Sequence, residues 1–159
     1  MIMTEENILQ GELAGILNPP EPNPRQRILV VEDDAAIRQV NQEVLTYSGY
    51  HVDGAEDGAA AWAALQQINY DLVVTDNEMP KVTGVELIQK LQLARMSVPV
   101  IMATGALPDE QFTRSGVQPP AKTLLKPFTF DELLAAVKEV LFASNYGREK
   151  SVPPPNWNC

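Results

Sequence analysis

Cysteine is nearly missing from this chain of 159 residues: the only one, Cys159, is the last residue. That excludes an intrachain disulfide framework and a cysteine-based zinc site, and it agrees with a reducing compartment. Cys159 reads as an exposed, incidental thiol. Histidine is equally scarce. His51 stands alone, without the acidic or helical-bundle surroundings a phosphorelay histidine would need, and is expected as a surface strand residue. Long apolar runs are absent too: no stretch of about 18 apolar residues is available to cross a bilayer. The beginning, MIMTEENILQ, lacks the basic start and apolar core of a signal peptide. A cytoplasmic location without membrane insertion is the expectation. Positive charge is in short supply, with 12 Lys and Arg against 21 Asp and Glu for a net charge of -9. No basic stripe can follow a phosphate backbone, so direct nucleic-acid binding is disfavoured and a protein partner favoured.

What is present is the material of one ordinary domain with tails, long enough to bury a core at 45% hydrophobic content. Residues 1–26 read as an N-terminal arm ending in NPPEPNPRQ, whose prolines lack backbone donors and favour extended structure. Within it Ile8, Leu9, Leu13, Ile16 and Leu17 recur at helical spacing, but Gly11 and Gly15 weaken a docking helix, and a frayed tail is the favoured reading. From Arg27 the pattern changes to short apolar runs alternating with amphipathic segments. RILVV is a buried strand, and Ile37, Val40, Val44 and Leu45 share the inner face of a helix ending near Ser48-Gly49. HVDGA is a weaker strand, Ala59 to Gln67 an alanine-rich helix, LVVTD a third strand, and Val85 to Leu93 a helix with Val85, Ile88 and Leu91 inward. VPVIMAT, a poor helix over Leu107 to Arg114, and the strand KTLL follow. The last helix opens with a capping box of Thr129 and Glu132, and Leu133, Leu134, Val137, Val140 and Leu141 line one face. The domain is expected over 27–142, followed by a tail, 143–159, that carries Pro153 to Pro155 and Trp157, the better tryptophan for partner contact; Trp62 is expected to pack. Five strands alternating with five helices predict an α/β doubly wound parallel sheet, with ligands at the carboxyl ends of the strands.

At those ends stand polar groups. Glu32, Asp33 and Asp34 follow the first strand directly, and crowded carboxylates repel one another unless a cation joins them. Asp34 is accounted for as a helix N-cap. That account leaves the neighbouring acids, and Asp76 at the end of LVVTD, to a metal role suited to Mg2+. Thr104 and Lys126 are weak signals singly, because threonine is common at strand ends and lysine is usually a solvated charge, although Pro127 restricts the backbone of Lys126. Their joint order on successive strands is far more specific.

ILVVEDD, VVTDNEMPKVTG, VIMATG and LLKPF, with the spacing between them, resemble the receiver domain of two-component response regulators, the CheY-like superfamily, over about Arg27 to Phe142. The resemblance implies a flavodoxin-like (βα)5 fold with strand order 2-1-3-4-5. It implies that Asp76 is the phosphoacceptor, taking a phosphoryl group from a histidine of a sensor kinase or histidine phosphotransfer protein. Mg2+ would be held by Asp33 and Asp76, by the backbone carbonyl of Glu78, and by Glu32 through a water. Thr104 and Lys126 would each engage a phosphoryl oxygen. Readout would come from movement of Thr104 and its loop, over an output face from Leu107 to Phe130 and toward an unknown protein target. The implied role is a stand-alone phosphorylation switch, not an enzyme beyond its own phosphotransfer and dephosphorylation. A receiver cut from a hybrid histidine kinase is the alternative. A Mg2+-dependent aspartyl-phosphate phosphohydrolase is a weaker one, because Asp76-x-Glu78 faintly resembles the nucleophile motif of haloacid dehalogenase-like enzymes, whose nucleophile follows the first strand.

Three departures from the family pattern stand out. The switch position three residues before the lysine, usually aromatic, is Thr123. Pro119-Pro120 occupies a stretch where a short turn is typical, which suggests a remodelled or more rigid face. Glu78 places a side-chain acid near the path of attacking water and Gly105 leaves the site open, so these two positions are expected to set the phosphoryl lifetime.

Overall fold

A computed structural model describes residues 26–106 and 109–150. The N-terminal docking stripe, Leu107, Trp157 and Cys159 lie outside the described residues. Five parallel strands form one sheet: β1 (Arg27–Val31), β2 (His51–Ala55), β3 (Leu72–Asp76), β4 (Val100–Thr104) and β5 (Lys122–Leu125). Their order is β2-β1-β3-β4-β5, as the resemblance implied. The crossovers are α1 (Ala35–Tyr47), α2 (Gly58–Gln67), α3 (Gly84–Leu93) and α4 (Asp109–Ser115), and α5 (Phe130–Lys150) closes the domain.

Strand side chains alternate between two faces, and both are covered, so the central strands can be apolar throughout. Ile28, Val30, Leu72, Val74, Ile101 and Leu124 pack with Leu45 of α1 and with Leu133, Ala136, Val137 and Val140 of α5. Leu29, Val31, Val73 and Met102 pack on the opposite side with Ala61 and Leu65 of α2, Leu87 and Leu91 of α3, and Phe112 of α4. β2 is an edge strand with only Ala55 fully buried, and His51 is exposed. Trp62 packs against the second of these cores, with the Lys90 ammonium 5.7 Å from its ring centre.

Helix starts follow capping chemistry. Asp34 caps α1 by accepting from the N–H groups of Ala36 and Ile37 at 2.9 and 3.0 Å. Thr129 and Glu132 form the expected box at α5, at 2.7 and 3.1 Å. A second box, Thr83 with Glu86, starts α3. Gly84 is required there: a Cβ would lie 2.9 Å from the Asp76 carbonyl oxygen and 3.0 Å from Asn77 Cα. α3 therefore begins in contact with the end of β3.

Three elements differ from expectation. β4 starts at Val100, after Pro99, whose carbonyl accepts from the Val73 N–H at 3.0 Å while its ring nitrogen has no hydrogen to give. α5 passes Phe142 and continues to Lys150, because no proline interrupts it and Phe142 stacks on Tyr146 one turn later, 6.3 Å between ring centroids. Ile37 and Val40, expected inward, are 47% and 41% exposed. Their turns of α1 lie past the packed centre of the sheet and border a groove.

Candidate phosphoacceptor site

Parallel register lines up the strand ends. Asp76 pairs with Ala103, and Thr104 pairs with Leu125, the residue before Lys126. The Glu32 N–H donates to Ala55 O at 3.1 Å, Asn77 N–H to Ala103 O at 2.9 Å, and Lys126 N–H to Thr104 O at 2.9 Å, so the ladder continues one step past each strand. Residues that follow different strands are thereby brought to one edge. The Lys126–Pro127 peptide bond is cis.

Ligand oxygens of Glu32, Asp33 and Asp76 all lie within 4.8 Å of one another. Glu32 and Asp76 are 5% and 4% exposed, whereas Asp33 is exposed. Lys126 Nζ donates to Asp76 Oδ1 at 2.8 Å, and the Glu78 N–H donates to the same oxygen at 3.2 Å. Arg38 Nη1 donates to the backbone oxygen of Glu32 at 2.7 Å, and the Asp34 N–H donates to Glu32 Oε1 at 3.2 Å.

The electrostatics are those of a crowded acidic pocket. Burial pushes the Glu32 carboxyl up to about 7, with the Asp33 hydrogen bond and the Asp76 charge adding to it against the Asp34 N–H and Lys126. Burial also holds the Asp76 carboxyl above its ordinary value, outweighing Lys126. Burial opposes the charge on Lys126, but its bond to Asp76 and the fields of Glu32 and Glu78 keep it above the ordinary lysine value. A hard, oxygen-seeking dication is what such a set of carboxylates favours, and a sparse protein ligand set suits Mg2+, which retains several waters. The residues present fit that ion.

The Glu78 side chain is the feature sequence reasoning placed least well. It engages the end of β4. Thr104 Oγ1 donates to Glu78 Oε1 at 2.6 Å and the Gly105 N–H donates to it at 3.0 Å, while Lys126 Nζ is 3.9 Å from Oε2. Partial burial would raise this carboxyl, but the Thr104 and Gly105 hydrogen bonds hold it below its ordinary value. Gly105 does leave room: a Cβ there would meet only Glu78 Oε1, at 3.9 Å.

Beside Asp76 opens a groove of about 470 Å3 lined by Ile37, Val40, Lys126, Pro127, Phe128 and Phe130. On the expected output face Thr123 is half-buried. The segment before β5 is held by a reciprocal amide pair: Gln92 Nε2 donates to Gln118 O at 3.1 Å and the Gln118 N–H donates to Gln92 Oε1 at 3.2 Å.

An acid cluster, a hydroxyl and a lysine at the carboxyl edge of a 2-1-3-4-5 sheet are the marks of a two-component receiver. The chain belongs to the response regulator receiver domain family, whose sequence profile matches residues 28–138. It is 36% identical over 120 residues to the probable transcriptional regulatory protein SilR of Salmonella typhimurium, covering 75% of this chain and 52% of that protein. To the response regulator receiver protein CpdR of Brucella abortus it is 31% identical over 119 residues, covering 75% of this chain and 99% of that protein. Response regulator TrrA of Thermotoga maritima, solved in complex with Mg(2+)-BeF, matches at TM-score 0.64 and 34% identity, over 72% of this chain and 98% of that one. The chain thus spans about half the length of SilR and nearly all of CpdR. Among the described residues no helix is long and apolar enough to cross a membrane.

Proposed function

We propose that this chain is a cytoplasmic receiver that accepts a phosphoryl group on Asp76 and signals by binding another protein. The observation that carries the reading is the Lys126–Asp76 contact of 2.8 Å beside carboxylates within 4.8 Å of one another. A carboxylate oxygen of Asp76 attacks phosphorus, an O–P bond forms, and the N–P bond to a histidine of the partner kinase or phosphotransfer protein breaks. Asp33, Asp76, the Glu78 carbonyl and, through water, Glu32 would hold Mg2+, which supplies neutralisation of the charge on the transferring group. Lys126 stabilises one phosphoryl oxygen and Thr104 another, as donors already in position when charge develops. The groove beside Asp76 suits the apolar face of the partner helix that presents the histidine, since its Ile37, Val40 and Phe130 are half-exposed. Apart from self-catalysed transfer and hydrolysis the chain performs no catalysis. The chemistry is the same whether the receiver acts alone or within a longer protein such as a hybrid kinase.

The test is intact mass after incubation with acetyl phosphate. We expect a phosphate adduct that requires Mg2+ and is lost in Asp76→Asn. An adduct that survives Asp76→Asn, or none with either the small donor or beryllofluoride, overturns the assignment.

A further inference from the structure

The Glu78 side chain is half-exposed, at 51%. A carboxylate in that position is well hydrated by default, so it leaves water only for donors that bind it better. It takes three: the Thr104 hydroxyl at 2.6 Å, the Gly105 N–H at 3.0 Å, and more distantly the Lys126 ammonium at 3.9 Å. Thr104 is 1% exposed, and its single proton can serve only one acceptor at a time. Its other acceptor, the Ala106 carbonyl, lies at 2.9 Å. The short contact to a charged oxygen is the stronger of the two. Glu78 is also anchored at its base, because its own N–H donates to Asp76 Oδ1 at 3.2 Å.

Two of these donors, Thr104 and Lys126, are the ones assigned above to phosphoryl oxygens, and the Gly105 N–H lies next to Thr104. We propose that the Glu78 carboxylate is an internal stand-in for the phosphoryl group: in the unphosphorylated chain it occupies the Thr104, Gly105 and Lys126 donors, and phosphorylation displaces it into solvent. This rests on the phosphoacceptor reading of Asp76. Two consequences follow. An anionic donor approaching Asp76 meets a carboxylate that has to leave, so Glu78 slows phosphoryl entry. Thr104 is already held inward before phosphate arrives, so the chemical change at the end of β4 is an exchange of acceptors more than a movement of the hydroxyl. The departing negative charge at Glu78 becomes part of the signal, which fits a switch position filled by Thr123 in place of a large ring. Glu78 is therefore a positioning residue for Thr104 and a gate for the donor.

The experiment uses Glu78→Ala and Glu78→Gln, both of which keep the backbone carbonyl, with the native chain and Asp76→Asn as references. Amide NMR follows Gly105 and Thr104, and intact mass follows phosphorylation by acetyl phosphate with Mg2+. We expect the Gly105 amide of the unphosphorylated native chain to lie close to its position in the beryllofluoride complex. It should move in Glu78→Ala and return when beryllofluoride is added to that variant. Phosphorylation of Glu78→Ala should be about tenfold faster than native, the weight of one charge-assisted hydrogen bond. Glu78→Gln, which keeps an acceptor for Thr104 but not the charge, should fall between. An unchanged Gly105 amide together with an unchanged rate in Glu78→Ala, while the native chain still gains an Asp76-dependent adduct, overturns the gate and leaves the phosphoacceptor intact. Absence of any adduct and of beryllofluoride binding in the native chain and both Glu78 variants overturns both.

Discussion

The two ends of the same sheet treat charge in opposite ways. At the amino end Asp53 Oδ2 receives Arg27 Nε at 2.9 Å and the Tyr70 hydroxyl at 2.7 Å, the Arg27 guanidinium lies 5.8 Å from the Tyr70 ring centre, and the Arg27 N–H donates to Asp71 Oδ2 at 2.8 Å. Those groups satisfy one another, and nothing from outside is called for. At the carboxyl end Lys126 pairs with Asp76 and Glu78 while Glu32 and Asp33 crowd beside Asp76, and Arg38 donates to a backbone oxygen. A fold that balances its charges at one end and leaves a surplus at the other has a second end suited to a cation and, on the function proposed, to a phosphoryl group.

The contrast is broken most strongly at Lys126. Lys126→Ala leaves the carboxylate of Asp76 buried without its counterion, and we expect the metal-free protein to lose about 3 kcal/mol of stability at pH 7.5. Mg2+ should then stabilise the variant more than it stabilises the native chain, since it fills a larger deficit. Urea unfolding in EDTA and in millimolar Mg2+ measures both. Equal Mg2+ stabilisation of the two proteins would show that Lys126 and the metal site are electrostatically independent.

Glu32 gives the next effect, and its sign is opposite to that of an ordinary carboxylate. Its folded value of about 7 lies above its usual 4.5, so the folded state holds a proton the unfolded state gives up. The associated stability is full below about pH 4.5 and is lost as pH rises through about 7. In EDTA we expect stability to fall by on the order of 2 kcal/mol across that window. Glu32→Gln should flatten most of the slope, and Asp76, raised in the same direction, should leave a smaller remainder. A slope of native size in Glu32→Gln, read from unfolding curves at pH 5, 6, 7 and 7.5, would assign the effect elsewhere.

The carboxyl end was also the end legible in the sequence. Glu32, Asp76, Thr104 and Lys126 each lie at or just after the end of a short apolar run, and parallel register carries those positions to one edge whatever the loops do. The acid cluster, the lysine pair and the caps of α1 and α5 all follow from that local grammar, whereas the strand order was implied only by the resemblance to receiver domains. The Glu78 side chain does not, because two residues past a strand end its direction is set by donors on another strand, Thr104 and Gly105. The box at α3 was spelled out in VTGVE as Thr83 and Glu86, but its weight is clear only with Gly84 against β3. Ile37 and Val40 fit the apolar stripe of α1, and helical spacing cannot tell a side chain facing the core from one facing a groove. The amino-end network was beyond reach for a similar reason: Arg27, Asp53 and Tyr70 come from separate segments that only the folded sheet brings together.

That network supplies the smallest effect and the cleanest control. Burial would raise the Asp53 carboxyl, but Tyr70 and Arg27 hold it below its ordinary value, so its contribution is present above about pH 4 and is lost only as pH falls through the lowered value. Tyr70, pushed up to about 12 by burial and by its bond to Asp53, stays protonated throughout. Tyr70→Phe removes one hydrogen bond to a carboxylate that keeps Arg27 as its partner, and we expect a loss of about 1 kcal/mol. Because none of Arg27, Asp53 and Tyr70 is a metal ligand, that loss, measured at one pH since the His51 charge also acts on Asp53, should be the same in EDTA and Mg2+. The phosphorylation rate should be native. A Tyr70→Phe penalty that changes with Mg2+ would mean that the two ends of the sheet are coupled through β1, with the amino-end ion pair tuning the site instead of only holding the strands together.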